Sequence, residues 1–472
     1  MRGLLGTPLA VEIGVSTPHA ALRALGRLSY PFLLDFDSPG AGARWSFFGA
    51  DPFAVYRGHR YEEAAAAWRR IARRFPAGAE CYASPFTGGM VGYWAYDFGR
   101  RLERIPSVAR DDLGLPDFVL GLYDVVGAFD HAARRGFLFS TGLPLEGEAA
   151  RTRARSRLDD FARRLESAEP APAAEPGPGA LAVSTFSPDA YPRAVEMVKE
   201  HIRRGDIFQA NLSQRWTVEL PRAAEPGAFA RALQEALARR SPAPFAGFLD
   251  AGDHAVACAS PERFLTLRGR AVTTRPIKGT RPRGAGPAED RALGEELLAS
   301  EKDRAENVMI VDVLRNDLGR VCETGSVETA SLCELETFAQ VHHLTSTVNG
   351  ALRRGLDALD LLHAAFPGGS ITGAPKIRAM EILDALEPVR RHIYTGSLGY
   401  VDWRGDADWN IAIRTALVTP HAVHFAAGGG ITADSDPDSE WRETLHKAMG
   451  LRLALEDLVG PVALEPAAVH AR

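Results

Sequence analysis

Between Ser167 and Ala180 the chain reads SAEPAPAAEPGPGA, and neither a helix nor an interior strand can be built from it. Proline removes the amide hydrogen that both structures use, and alternating proline, alanine and glutamate stays extended and solvated. At 472 residues the chain also exceeds what one small core holds. The segment therefore predicts a boundary. A strand-rich N-terminal part spans 1–166, a linker 167–182, a larger second part 183–455 and a short tail 456–472. A charged, helix-like stretch, Gly147–Leu165, runs into the linker.

The first part alternates short apolar runs with turns: Tyr30–Phe36, Gly88–Tyr93 and Phe118–Phe129 read as strands. In the second part Asp189–Arg204 has helical spacing. Ser300–Leu318 is a helix capped by Ser300, with Asp303 three residues on. Thr372–Leu386, with Pro375 and Lys376 in its first turn, and Asp436–Leu453 are further helices. Strands are expected at Ala255–Ala259, Arg263–Val272, Ser397–Val401, Asn410–Val418 and Ala422–Ala427. Helices and strands do not alternate strictly, so the class is α+β.

A net charge of -5, dispersed along the chain, leaves no basic stripe for nucleic acid. Cys81, Cys258, Cys322 and Cys333 show no metal-ligand spacing, and Cys258 and Cys322 sit in apolar runs that read as core. Gly6 and Pro8 break the short apolar run at the N-terminus, and no run approaches a membrane span. A cytoplasmic protein without membrane or nucleic-acid partners is expected.

Three constellations can carry chemistry. Asp303 and Glu306, and likewise Glu440 and Glu443, stand at i, i+3 on two helices. Together they can clamp a hard divalent cation, or each pair is a solvated charged face. Gly428-Gly429-Gly430 follows a strand and either lets backbone amides face an anion or makes a tight turn. Arg414 can pair with a carboxylate. The third is Thr274–Gly284, where Arg275, Arg281 and Arg283 surround Lys278 on a backbone stiffened by Pro276 and Pro282. Nearby cations and desolvation favour a neutral, nucleophilic amine; a salt-bridged lysine is the plain alternative. Glu262, at a strand end, offers an acid, and His343 a positioning group.

These segments, in this order, resemble the chorismate-utilising enzymes: anthranilate synthase and aminodeoxychorismate synthase components I, and the isochorismate and salicylate synthases. The resemblance runs through GDIFQANLSQR (205–215), SPERFL (260–265), PIKGTRPRG (276–284), EKDRAENVMIVDVLRNDLGRV (301–321), VHHLTS (341–346), FPGGSITGAPKIRAMEILDALEP (366–388), GSLGY (396–400), IRT (413–415), GGGITADS (428–435) and EWRETLHK (440–447). It is looser at LLDFDS (33–38), RWSFFGADP (44–52) and GGMVGYWAYD (88–97). The fold it implies has large mixed or antiparallel sheets forming a sandwich flanked by helices.

The resemblance also implies roles. Glu306 and Glu443, with Asp303 and Glu440 beside them, match Mg²⁺ ligands, and the metal would bind the ring carboxylate of chorismate. Gly279, Thr280, Tyr400, Arg414, Gly428, Gly429, Gly430 and Lys447 match substrate-holding positions. Glu262 matches the general acid, and His343 the family's motif histidine. Family members that add water use a lysine where this chain has Gln209, which disfavours water addition. Lys278 stands where anthranilate synthases have a small residue and aminodeoxychorismate synthases have a lysine that attacks C2. The aminodeoxychorismate branch is therefore implied, with ammonia from a separate glutamine amidotransferase subunit and a downstream aminodeoxychorismate lyase. Leu33–Phe36 and Pro244–Ala246 both depart from the family's tryptophan-binding motifs, which argues against feedback inhibition.

Overall fold

The computed structural model describes residues 7–14, 17–36, 44–75, 84–167, 177–220, 225–338 and 341–467. Most of the expected linker, 168–176, and Cys81 lie outside the described residues.

Alternation along the strands builds the layers. In strand Ala255–Ser260, Val256 and Cys258 enter an inner core, while Ala255, Ala257 and Ala259 enter an outer one. Phe32 and Leu34 likewise face inward and Leu33 outward. That inner core is completed by Val91, Tyr93, Val119, Leu398 and Tyr400 from a second sheet. Among the described residues there are two sheets, of thirteen and ten strands, antiparallel but for one edge pairing. They pack face to face, and helices cover both outer faces. The α+β sandwich expected from the sequence is the architecture found.

Both sheets draw strands from both parts of the chain. Phe32–Asp35 pairs with Phe245–Asp250 in one, and Gly89–Trp94 with Ser397–Asp402 in the other. Strand Ala180–Ser184, which starts inside the expected linker and runs past its end, pairs in parallel with Val462–Glu465 from the tail.

Three runs expected as single strands are each divided, for one reason: the chain turns back or changes sheet inside them. Phe118–Tyr123 lies in the smaller sheet and Val125–Asp130 in the larger, with buried Asp124 between them held by Arg157 at 3.3 Å. Ala407–Asn410 and Thr415–Val418 divide the same way. Arg263–Arg268 and Ala271–Thr274 form a hairpin whose turn uses Gly269 at φ +58°. Helix Ala190–Arg203 and helix Glu301–Gly319 stand where expected, the latter with the Ser300 hydroxyl accepting from the Asp303 amide at 3.3 Å. The helix expected from Thr372 begins only at Lys376, because Gly373 and Ala374 pair with Ala210 and Gln209 as a strand.

One buried ion pair fastens these pieces. Arg391 donates to both Glu387 oxygens, to the Ile371 carbonyl and to the Asn211 carbonyl, and lies 4.6 Å above the Tyr96 ring. Glu387 in turn accepts from the backbone amide and hydroxyl of Ser213. Arg391→Met leaves a buried carboxylate and two carbonyls without their partner, so it should cost about 3–5 kcal/mol in urea unfolding. A loss below about 1 kcal/mol would show that the pair adds no more than a surface bridge.

Candidate active site

The site is built on a long ladder. Strand Gln209–Glu219 pairs antiparallel with strand Ala422–Ile431, so that Gly430, Gly429 and Gly428 lie opposite Asn211, Leu212 and Ser213. The glycines thus belong to the strand, where the sequence suggested a loop beyond it. Their smallness has a steric cause. A Cβ on Gly429 would lie 2.8 Å from Glu440 Oε2, and one on Gly430 1.9 Å from Gln209 Nε2 and 3.4 Å from Lys278 Nζ.

Two helices bring carboxylates to this floor. Asp303 and Glu306 come from helix Glu301–Gly319, and Glu440 and Glu443 from helix Pro437–Val459. Burial, with the charges of Asp303 and Glu440 adding to it, raises the Glu306 carboxyl above its ordinary range. Burial and the neighbouring Glu443 raise Glu440, whose Oε1 accepts from Ser435 Oγ at 2.6 Å. Burial also pushes Glu443 upward, but Lys447 at 2.6 Å, aided by Lys302 and Lys278, holds it below the usual range. Lys447 also donates to the Gly428 carbonyl at 2.8 Å. Asp303 is engaged by Arg281 at 3.3 Å. Among the described residues no three His, Cys, Asp or Glu side chains form a ready-made metal cluster. The donor chemistry nonetheless fits a hard cation, since Glu306 feels the charge of Glu440 and Glu440 that of Glu443, which joins the two helices, and lysines offset it.

Lys278 lies on strand Ile277–Pro282 with Nζ 4.0 Å from Glu306 Oε2. Of the arginines around it in sequence, Arg275 turns to Glu336 and Arg283 to Asp290, while Arg281 lies between Glu296 and Asp303. Its surroundings are therefore carboxylates, where the sequence suggested cations. Glu262 sits where the chain leaves strand Ala255–Ser260 of the larger sheet and enters Arg263–Arg268 of the smaller. It is buried, and burial pushes its carboxyl up to about 7 against the opposing charge of Lys278.

Arg414 occupies the neighbouring crossing, at φ +50°. No side-chain hydrogen bond or ion pair involves its guanidinium among the described residues, and burial alone lowers its pKa. An unpaired, half-buried cation is a receptor for an anion. His343 is buried; desolvation, then Arg414, push its imidazole down to about 3, so it is neutral at pH 7. Its Nδ1 meets Thr280 Oγ1 at 2.9 Å. Gly279 takes φ +85°, and a Cβ there would lie 2.8 Å from Leu297 and 2.9 Å from Asp303.

Tyr400 is the exception among the sequence-matched residues. It is buried in the inner core, stacked on Phe86 at 4.3 Å, and its hydroxyl accepts from Arg268 at 2.9 Å. Alternation along Ser397–Asp402 sends it into the core between the sheets. Sequence reasoning missed Lys302, 3.7 Å from Glu440, and Ser435. Their signal was present, since Lys302 adjoins Asp303 and Ser435 closes the GGGITADS segment.

Residues 34–452 match the family model described as chorismate binding enzyme. The chain belongs to the chorismate binding enzymes. It is 42% identical over 425 residues to anthranilate synthase component 1 of Thermus thermophilus, covering 89% of each chain. It is 43% identical over 378 residues to aminodeoxychorismate synthase component 1 of Klebsiella aerogenes, covering 79% of this chain and 78% of that one. Anthranilate synthase component I of Streptococcus pneumoniae superposes with a TM-score of 0.74 at 32% identity, over 87% of this chain and 92% of that one. The menaquinone-specific isochorismate synthase of Escherichia coli shares the fold, with a TM-score of 0.72 at 21% identity over 95% and 94% of the two chains. No described helix of this family member is long and apolar enough to cross a membrane.

The position of Glu262 links the site to stability. Its carboxyl is raised from an ordinary 4.5 to about 7 in the fold. Its contribution to stability is therefore complete below pH 4.5 and lost as pH rises through about 7. Glu262→Gln removes that loss, so the stability difference between variant and wild type should grow by about 3 kcal/mol from pH 4 to pH 8. Denaturant titrations across that range check it; a flat difference means the carboxyl ionises at its ordinary pH.

Proposed function

We propose that this chorismate binding enzyme converts chorismate and ammonia to 4-amino-4-deoxychorismate. The observation that carries the reading is Lys278 itself, an amine whose side chain is only 11% exposed, set beside Glu262, Glu306 and the glycine floor. A small residue there would leave space for ammonia at C2; a lysine fills that space and offers its own nitrogen.

In the first step Lys278 Nζ forms a bond to C2 of the ring as the C4–O bond breaks. Glu262, holding a proton up to about pH 7, delivers it to the departing hydroxyl, and water leaves. Ammonia then forms a bond to C4, the C2–N bond breaks, and the lysine leaves as the amine. The enolpyruvyl ether is untouched throughout. Arg414 receives a substrate carboxylate, with the backbone of Gly428–Gly430 and Gly279, Thr280 and Lys447 around it. His343, neutral, orients Thr280. Glu306 and Glu443, with Asp303 and Glu440 adjacent, would hold a Mg²⁺ ion, which supplies positive charge for the ring carboxylate.

Ammonia would come from a separate glutamine amidotransferase, as the component 1 names of the relatives suggest. The product is a substrate for a lyase that releases pyruvate, on the way to 4-aminobenzoate and folate; a cytoplasmic location suits that traffic. Anthranilate formation is the second reading, favoured by the Thermus thermophilus relative, which matches over more of the chain.

Mass spectrometry after incubation with chorismate, Mg²⁺ and ammonium should give aminodeoxychorismate without pyruvate. Anthranilate fluorescence and pyruvate without added lyase overturn the reading. Lys278→Ala should lower turnover by about 100-fold or more, since it removes the nucleophile of a covalent route; retained turnover to aminodeoxychorismate shows that the amine is not used.

Glu443→Gln removes an anionic ligand and should shift the Mg²⁺ concentration for half-maximal activity upward by roughly tenfold or more. An unchanged Mg²⁺ titration places the ion elsewhere.

A further inference from the structure

Glu440 reaches the glycine floor with its two oxygens in different surroundings. Its Oε1 accepts from Ser435 Oγ at 2.6 Å and lies 3.7 Å from Lys302 Nζ. Among the described residues no hydrogen bond reaches Oε2, and Oε2 is the oxygen 2.8 Å from where a Cβ of Gly429 would stand. Glu443 Oε1 lies 3.6 Å from that same point, so the two carboxylates converge above Gly429.

The hydroxyl that makes this distinction is itself fixed. Ser435 lies in the connection between strand Ala422–Ile431 and helix Pro437–Val459 and is 2% exposed. Its Oγ accepts from the Thr432 amide at 3.0 Å, and its own amide donates to the Thr432 carbonyl at 3.2 Å. A hydroxyl has one proton, and with an amide on its lone pair that proton is left for Glu440. The Ser435 carbonyl accepts from Lys199 Nζ at 2.7 Å, and the Lys199 side chain, on helix Ala190–Arg203, is 13% exposed. The lysine holds the loop, and the loop holds the hydroxyl.

We propose that Ser435, braced by Lys199, makes Glu440 a one-oxygen ligand and so sets the preference of the site for Mg²⁺ over Ca²⁺. The inference rests on the Mg²⁺ site proposed above. Mg²⁺ is small and demands a near-regular octahedron of donors, whereas Ca²⁺ is larger and readily takes both oxygens of one carboxylate. A hydroxyl on Oε1 leaves only Oε2 open, which suits the smaller ion and denies the larger its two-oxygen grip. It also resists rotation of the carboxylate, since rotation would break the 2.6 Å hydrogen bond. Ser435 touches neither substrate nor metal; it is a positioning residue.

The test is calorimetric titration of the full chain with MgCl2 and, separately, with CaCl2, each with and without chorismate and in the absence of ammonia. Thermal unfolding checks that each variant is folded. Ser435→Ala should weaken Mg²⁺ binding about tenfold, as loss of a group that orients a ligand does, and leave Ca²⁺ binding unchanged or tighter. Ser435→Thr keeps the hydroxyl and should keep the wild-type ratio of the two Kd values. Lys199→Met loosens the loop from outside and should move the ratio the same way by less; it provides the readout if Ser435→Ala does not fold. A serine with a merely structural role predicts equal losses for both ions. Equal losses, or an unchanged ratio, in folded Ser435→Ala overturn the proposal. Glu443→Gln separates this outcome from failure of the site itself. If the wild type binds no Mg²⁺ in either condition, or Glu443→Gln binds it as tightly, the metal site falls and the role of Ser435 with it. If Glu443→Gln weakens Mg²⁺ while Ser435→Ala leaves the ratio unchanged, only the role of Ser435 falls.

Discussion

Two stretches of chain cross from one sheet of the sandwich to the other side by side, and hydrogen bonds tie them together. The Ala259 amide donates to the Arg414 carbonyl and the Ile411 amide to the Glu262 carbonyl, each at 3.0 Å. On one side of this junction Cys258 pairs with Thr415 in the larger sheet; on the other Arg263 pairs with Asn410 in the smaller. Backbone that leaves a sheet must satisfy its polar groups some other way, and here each crossing satisfies the other. The junction therefore fixes Glu262 and Arg414 with the rigidity of a ladder while freeing their side chains from its alternation. The Glu262 carboxyl and the unpaired Arg414 guanidinium come together because their backbones are bonded together.

The remaining charged groups balance one another, from buried Glu440 out to exposed Glu443 and Lys447. Glu306, Glu440 and Glu443 are each penalised by burial, and Lys278, Lys302 and Lys447 offset that penalty at 4.0, 3.7 and 2.6 Å from one or another of them. The glycine floor makes this possible, since a methyl group at Gly429 would press on Glu440. The small residues act here by letting charges approach a strand closely, more than by presenting amides. Beneath them Arg391 and Glu387 hold the ladder strand through Ser213 and Asn211, so the floor rests on a second, buried ion pair.

Much was legible before the structure. Helix Glu301–Gly319 followed from Ser300 and its apolar spacing; of the i, i+3 carboxylates on it and on helix Pro437–Val459, Glu440 is buried, Asp303 and Glu306 are half-buried and Glu443 is exposed. Local spacing suffices for such elements because a helix's faces are set by its own period. Tyr400 shows the opposite case. Its motif matched, yet on a strand a one-residue difference sends a side chain to the other face, and only the packed sheets show that its face is the inner core. The divided strands failed for a related reason: apolar runs such as Asn410–Val418 look continuous because both sheets are apolar there, and hydropathy does not record a change of sheet.

What the sequence by itself determined was the inventory: the α+β class, the acidic helices, the glycines and Lys278. Tertiary structure alone decided how these meet. It turned the arginines beside Lys278 toward Glu336, Glu296 and Asp290, and set that lysine among carboxylates. It also left Gln209 without a partner and Arg414 without a counter-ion. Residue types and spacings specify local conformation and candidate chemistry. Burial and pairing depend on segments that meet only in the packed fold, as Lys302 meets Glu440, and those two quantities set the protonation of Glu262.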